Sequence, residues 1–261
     1  MQKLLSCITC AFLLTATRAY AQVAAVPAVP PVPPVYAVLS LVGDQLVIVV
    51  AQPRTDARFA PYRREALLID GPVFDDAAIR AAVDAIRKVI PRAELSALNT
   101  RSPVLFDKQR VLFEEKGPVM AVPEAIRKAL QQQQATYLVL VTKHRDELNL
   151  QFGQNRDAGG KLEGLGFYVD DTPTANSGET REAVRGFIAP YAYLQVALVD
   201  TRTWNVIGKQ TITASAAIAA AGAPDAPRLW RAMTPAAKVE AMDRLLRREF
   251  DRIIPLLLKA G

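Results

Sequence analysis

Cysteine is nearly absent from this 261-residue sequence, because the only two are Cys7 and Cys10. Both lie in the amino-terminal stretch MQKLLSCITCAFLLTATRAYAQ, which has one early cation, a short apolar run and small residues at its end. That layout predicts a secretory signal peptide over residues 1–21, cleaved between Ala21 and Gln22. An amphipathic or buried first helix is the alternative, but no polar residue recurs at helical period. The mature chain then has no cysteine, which excludes a disulfide framework, a thiol nucleophile and a thiolate metal site.

The sequence also has only a small excess of positive over negative charge. The formal net charge of the whole chain is +6, and the predicted signal peptide carries two of the cations and no acid. The remaining basic residues alternate with acidic ones, as in MDRLLRREFDR, which indicates a solvated surface and no nucleic-acid partner. No later apolar run is long enough to cross a bilayer, so we expect no transmembrane segment in the mature chain. The exported protein is therefore expected in the periplasm.

Five prolines follow the predicted cleavage site within VAAVPAVPPVPPV. Proline removes backbone donors and holds the chain near polyproline II, so residues 22–35 are predicted to be a semi-extended linker. A ligand for a proline-recognition groove is the alternative for this segment. The folded part is predicted to be one α/β domain over residues 36–261, with a long loop at 154–189.

The apolar periodicity of this domain alternates between strand and helix. YAVLSLV and QLVIVVA flank Gly43-Asp44 and predict a hairpin. The predicted helices are FDDAAIRAAVDAIRKVI with Asp75 as N-cap, VPEAIRKALQQQQ, and TPAAKVEAMDRLLRREFDRIIPLLLKAG with Thr234 as N-cap and a kink or end at Pro255. Single strands are predicted for AELSAL and ATYLVLVTKH, and ELNLQFG is predicted to pair with ATYLVLVTKH. A second hairpin is predicted from YAYLQVALVD and WNVIGKQTIT. This order predicts an α/β (α+β) fold with a mixed, largely antiparallel-edged sheet and helices packed on it.

The stretch from Gln154 to Ala189 is rich in Gly, Asp, Thr and Asn and is predicted to be irregular. Long irregular stretches in compact domains are commonly mobile or functional. Leu165, Phe167 and Tyr168 in this predicted loop are candidates for a partner-binding tip. The alternative is that these side chains fold back over the sheet edge.

Few residues suggest catalysis. The mature chain has one histidine, His144, and its neighbours Asp146 and Glu147 could form a hydrolytic site with a hydroxyl from elsewhere. No nucleophile elbow or phosphate loop is present, and the Asp170-Asp171 pair lacks EF-hand spacing. The sequence therefore predicts no cofactor and no metal site.

The stretch LQVALVDTRTWNVIGKQ resembles an ending that is found in three related groups of envelope proteins. In that ending a strand closes with Val-Asp, two residues follow, and Thr-Gly precedes a second strand. The three groups are the curli-secretion lipoproteins, the periplasmic lipoprotein activators of penicillin-binding proteins, and the amino-terminal domain of the TolB translocation protein. The predicted helix and the QATYLVLVTKH that follows it are similar to another segment of these proteins, in which a helix leads through Gly-Ala-Asp into a strand. Trp204 stands where the family has Gly and Thr136 where it has Asp, and the lipidated cysteine is absent. The resemblance implies a small α/β domain that docks proteins in the cell envelope and has no active site.

Two functions are therefore considered. The first is a non-enzymatic periplasmic module that binds an envelope protein. The second is a periplasmic hydrolase that uses His144 with nearby carboxylates.

Overall fold

The computed structural model describes residues 33–43, 45–51, 62–110, 112, 123–148, 160–173, 185–218 and 230–259. The predicted cleavage site lies outside these ranges, as do residues 22–32 of the predicted linker. No helix within the described ranges is long and apolar enough to cross a membrane.

The described strands and helices follow one another along the chain without internal repetition. The strands are β1 (Val35–Ser40), β2 (Gln45–Ala51), β3 (Tyr62–Leu68), β4 (Glu94–Leu98), β5 (Tyr137–Lys143), β6 (Arg145–Glu147), β7 (Lys161–Pro173), β8 (Arg185–Asp200) and β9 (Val206–Ser215). The helices are α1 (Val73–Val89), α2 (Pro103–Lys108), α3 (Glu124–Gln132) and α4 (Pro235–Lys259).

One long strand, β8, organises the sheet. Along one side, β8 pairs antiparallel with β9, which confirms the predicted second hairpin. Along the other side, β8 pairs first with β7, up to Gly164↔Tyr193, and then with β5, from Lys143↔Leu194 onward. Two branches therefore leave β8, one in the order β7-β2-β3 and the other in the order β5-β1-β4. The predicted mixed sheet is confirmed, with nine described strands.

The predicted hairpin between β1 and β2 is wrong. β1 pairs in parallel with both β4 and β5, whereas β2 pairs in parallel with β7 and antiparallel with β3. Each of these apolar strands lies between two other partners in the sheet, so its backbone hydrogen bonds are made without a β1-β2 hairpin. Gly43, with φ of +82°, marks the point where the chain leaves one branch and enters the other.

The predicted loop at 154–189 is also wrong in its described part. Residues 161–173 are the whole of β7 and residues 185–189 are the beginning of β8, whereas residues 154–159 and 174–184 lie outside the described residues. Gly166 belongs in this strand because a Cβ there would lie 2.0 Å from the Val47 carbonyl oxygen and 2.3 Å from the Tyr191 hydroxyl. The glycines that suggested a loop are thus required by close approach of neighbouring strands.

The strand predicted over ELNLQFG begins within β6, and residues 149–153 lie outside the described part. β6 pairs antiparallel with β7 and not with β5. At Glu147, the strand residue of this stretch that the structure describes, the predicted pairing with the preceding strand is therefore wrong.

The helices cover both faces of the sheet. α1 and α4 pack on one face, where the largest buried cluster includes Ile86, Phe250 and Val139. α2 and α3 lie on the other face, where Leu105 and Leu130 join a second buried cluster. The predicted apolar faces of α1 and α4 are confirmed.

The predicted cap at Thr234 is right and the predicted cap at Asp75 is wrong, and of the two alternatives at Pro255 the kink stays a prediction. Thr234 caps α4, since its Oγ1 accepts from the Ala237 N–H at 3.2 Å. α4 continues through Pro255 to Lys259, so that proline does not end it. The residue at the N-cap of α1 is Pro72 and not Asp75, whose carboxylate bonds elsewhere.

The bend between β8 and β9 is a turn built by Asp200. Its Oδ1 accepts from the backbone N–H of Arg202 at 2.8 Å and of Thr203 at 3.1 Å. A hydrogen bond from the Arg202 side chain lowers the pKa of the Asp200 carboxyl below its usual value. Trp204 has a left-handed φ of +60°, so the returning strand starts later than predicted, at Val206. Its half-buried ring packs on the second cluster, with the Arg127 guanidinium 4.9 Å from the ring centroid.

Replacing Trp204 separates the contribution of its ring from the strain of its backbone. Trp204→Ala should lose about 2 kcal/mol of stability, since the ring is half-buried and the left-handed strain remains. Trp204→Gly removes the same ring contacts but relieves the strain, so it should be about 1 kcal/mol more stable than Trp204→Ala. Chemical denaturation of both variants measures the difference. A glycine variant no more stable than the alanine variant would show that the backbone is unstrained.

Candidate functional site

The three residues predicted to form a partner-binding tip lie in the core. Leu165 and Phe167 are each 1% exposed, and Tyr168 is 3% exposed. The Phe167 ring lies 5.1 Å from the Trp230 ring, and the Tyr168 ring lies 5.7 Å from the Phe187 ring on the opposite face. The expectation that these residues are exposed is wrong, because they alternate across a central strand and not along a loop.

Phe167→Ala tests this correction directly. Loss of a fully buried aromatic ring should cost about 3 to 5 kcal/mol of stability, whereas an exposed tip residue would cost little. Leu68→Ala is the matched control, since Leu68 is 69% exposed. Thermal and urea unfolding should show a large loss for the first variant and almost none for the second. Equal stabilities would restore the tip interpretation.

His144 does not assemble a hydrolytic site with the described residues. Its Nε2 lies 3.8 Å from Asp146 Oδ2, beyond hydrogen-bond reach, and its side chain is 29% exposed. Its backbone N–H donates to the Tyr193 carbonyl oxygen at 2.9 Å. Among the described residues no hydroxyl group hydrogen-bonds to the imidazole, and no three His, Cys, Asp or Glu side chains come together as a metal-binding group would require.

The strand order instead creates a crevice that the sequence did not reveal. β1 lies between β4 and β5, and all three are parallel, so their carboxyl ends meet at one edge of the sheet. The connection that follows β1 includes α1 on one face, whereas the connection that follows β4 includes α2 and α3 on the other face. Where consecutive connections diverge to opposite faces, the strand ends leave a crevice that commonly binds ligands.

A cavity of about 560 Å³ occupies this position, which we name the switch-point cleft. Its lining is Gly43 and Gln45 after β1, Gly71, Pro72 and Asp75 around the start of α1, and Thr100, Arg101, Pro103, Phe106 and Asp107 after β4. The cleft thus combines an arginine, two prolines and an aromatic ring with polar side chains.

Asp75 fixes the wall of the switch-point cleft. It is 5% exposed, and its Oδ1 accepts from the Ser40 hydroxyl at 2.6 Å and from the Val42 N–H at 2.8 Å. The Gly43 N–H lies 3.1 Å from both carboxylate oxygens. Burial raises the pKa of the Asp75 carboxyl above its usual value, although these hydrogen bonds and the charge of Lys143 oppose the rise. The carboxylate therefore holds the passage from β1 to β2 and is occupied by structural donors.

Two exposed apolar side chains lie beside the mouth of the cleft. Leu68, 69% exposed, pairs in register with the lining residue Gln45. Val104, 54% exposed, follows the lining residue Pro103. These two side chains add apolar surface next to the polar lining of the cleft.

Comparisons with known proteins give no family for this chain. No family model matches, and no curated protein matches. Three similar solved structures cover most of the chain. A DUF330 protein from Xanthomonas campestris is 12% identical, covering 90% of this chain and 89% of its own with a TM-score of 0.40. A putative neuraminyllactose-binding hemagglutinin homolog from Helicobacter pylori is 8% identical, covering 86% and 81% with a TM-score of 0.32. The PelC dodecamer from Paraburkholderia phytofirmans is 10% identical, covering 84% and 86% with a TM-score of 0.27.

These matches do not confirm the finer resemblance to the curli-secretion, penicillin-binding-protein activator and TolB groups. At such scores and identities they also assign no role to any residue of the switch-point cleft.

Substitutions at Asp75 test its role as the hydrogen-bond acceptor for the chain between β1 and β2. Asp75→Ala leaves buried donors of Ser40, Val42 and Gly43 without a partner, so we expect a loss of about 3 kcal/mol or more. Asp75→Asn keeps one carbonyl oxygen for the same donors and should lose about 1 kcal/mol. Urea unfolding at neutral pH measures both. Similar losses for the two variants would mean that the hydrogen bonds contribute little.

The raised pKa of Asp75 also predicts how the stability difference between the wild type and Asp75→Asn depends on pH. At a pH between the ordinary and the raised carboxyl pKa, the folded state binds more protons than the unfolded state. The contribution of Asp75 to the free energy of unfolding therefore falls as pH rises through that window. Asp75→Asn cannot titrate. The advantage of the wild type over this variant should therefore be greatest below the ordinary carboxyl pKa and shrink as pH rises. An advantage that grows with pH would contradict the raised pKa.

Proposed function

We propose that this protein is a non-enzymatic binding module of the cell envelope, which takes a segment of a partner protein in its switch-point cleft. The observation that carries the proposal is the position of the cleft, at the strand ends where the connections diverge to α1 and α2. This is the position at which open α/β sheets bind ligands.

Binding is favoured over catalysis by the state of the polar groups in the cleft. Asp75 is the buried carboxylate of the lining, and it is committed to Ser40, Val42 and Gly43. A general base needs a carboxylate that is free to reach substrate, and Asp75 is not free. The other lining carboxylate, Asp107, is exposed to solvent and has no histidine beside it in the lining. The imidazole of His144 is not part of the lining. The cleft thus supports recognition by shape, apolar contact and charge.

A protein segment suits the surroundings of the cleft. Phe106, Pro72 and Pro103 contribute apolar surface to the lining. Leu68 and Val104, next to lining residues, add exposed apolar surface. An apolar centre with a polar rim is the usual composition of protein interfaces. Arg101 could pair with a carboxylate of the partner.

The envelope location rests on the predicted signal peptide and linker. If residues 1–21 direct export, the mature protein should begin at Gln22 and carry no lipid. Edman sequencing and mass spectrometry of protein from the periplasmic fraction measure this. Protein that begins at Met1 in the cytoplasm would contradict the proposal.

Site-specific crosslinking in cells tests the cleft itself. A photoreactive amino acid at position 68 or 104 should form the same partner adduct, whereas one at Val206 should not. Val206 is a matched control because it is also apolar and 40% exposed, but it lies on β9. Arg101→Gln should weaken the adduct at position 104 without changing thermal stability. Equal adducts at all three positions, or none at 68 and 104, would contradict binding at the cleft.

A further inference from the structure

A second cavity, of about 250 Å³, lies where β2 and β3 approach the beginning of β7. Three cationic side chains line it, those of Arg64, Lys143 and Lys161. The Tyr191 ring also lines it, and its hydroxyl donates to the Val47 carbonyl oxygen at 3.2 Å. We name this the cation cavity. It shares Gln45 with the switch-point cleft but not the cleft's Arg101.

The positive charge of the cation cavity is not balanced by its own walls. Glu163 is the lining carboxylate, and Arg110 already binds it, with Nε to Oε1 at 3.0 Å and Nη2 to Oε2 at 2.5 Å. Among the described residues, no carboxylate lies within ion-pair distance of Arg64, Lys143 or Lys161, and the charge of Lys143 acts from further away on the buried Asp75 carboxylate. The Arg64 guanidinium instead donates through Nη2 to the Lys161 carbonyl oxygen. The lining therefore gathers three cations around one acid that a fourth cation neutralises.

The three cationic side chains come from three strands that border the cavity, Arg64 from β3, Lys143 from β5 and Lys161 from β7. The stem of Lys143 lies against Gly164, where a methyl group would be 3.2 Å from its Cγ and Cδ. The backbone N–H of Lys143 donates to Gln109 Oε1 at 2.8 Å. Burial raises the pKa of the Tyr191 hydroxyl, so this ring remains neutral and adds no negative charge. Like charges held around one cavity repel each other, and an anion between them relieves that repulsion.

We propose that the cation cavity binds a phosphate group. The planar guanidinium of Arg64 can donate two parallel hydrogen bonds to phosphate oxygens, and the two ammonium groups supply further donors. One water occupies roughly 30 Å³ in the liquid, so the cavity has room for a phosphate with several waters. This site is independent of the partner segment in the switch-point cleft. A free phosphate compound and a phospholipid headgroup are the two sources of this chemistry.

Titration of the full mature chain with inorganic pyrophosphate, followed by calorimetry, tests the site. Arg64→Gln and Lys161→Gln should each raise the dissociation constant at least tenfold. Lys209→Gln is the control, because it removes the same charge from an exposed position on β9. Arg64→Lys should bind more tightly than Arg64→Gln but more weakly than the wild type, because it keeps charge and loses the planar donor pair. Thermal unfolding of each variant shows that the fold is kept.

Vesicle sedimentation identifies the source of the phosphate. If vesicles of phosphatidylglycerol bind the wild type but not Arg64→Gln, while phosphatidylcholine vesicles bind neither, the ligand is an anionic headgroup. If pyrophosphate binds and the vesicles do not, the ligand is a soluble phosphate compound. Either result supports the site. Absence of pyrophosphate binding at millimolar concentration, or equal weakening by Lys209→Gln, would overturn it. Crosslinking at position 104 should persist in Arg64→Gln, which separates this proposal from binding at the cleft.

Discussion

The buried carboxylate of Asp75 is the constraint on which the arrangement of the two sheet branches depends. The chain leaves β1 at Ser40 and must start β2 in the other branch, so the N–H groups of Val42 and Gly43 cannot join a regular ladder between two neighbouring strands. Asp75, from the first turn of α1, accepts both of them and the Ser40 hydroxyl. One side chain thereby ties the strand junction to the helix, and this junction forms a wall of the switch-point cleft.

The long strand β8 joins the two branches of the sheet. Because β7 and β5 follow one another along the same side of β8, the two branches meet where Gly164 pairs with Tyr193 and Lys143 with Leu194. The cation cavity lies at this meeting point, and the switch-point cleft lies at the strand ends of the β5 branch. The cation cavity therefore comes from the branching of the sheet, and the switch-point cleft comes from the divergence of the connections after β1 and β4.

The sequence predicted the elements better than their partners. The periodicity of α1 and α4, the β8-β9 hairpin and the mixed sheet were all recognisable, because local apolar patterns and turn residues determine them. The partners of β1 and β2 were not recognisable, since Gly43-Asp44 has the composition of a turn whether its flanking strands pair or separate. The glycines around Gly166 suggested a loop because the close approach of Tyr191, 25 residues away, is invisible locally. The switch-point cleft was missed for the same reason, as its position follows from strand order alone.

Amide hydrogen exchange at Val42 and Gly43 tests the central role of Asp75 most directly. In the wild type, both amides should exchange as slowly as those of the central strand β5, because their hydrogen bonds to Asp75 are buried. In Asp75→Ala both should lose protection by more than the change in global stability, while the amides of the β8-β9 hairpin should follow global stability alone. Val42 and Gly43 amides that exchange at the rate of an exposed loop in the wild type would contradict the account.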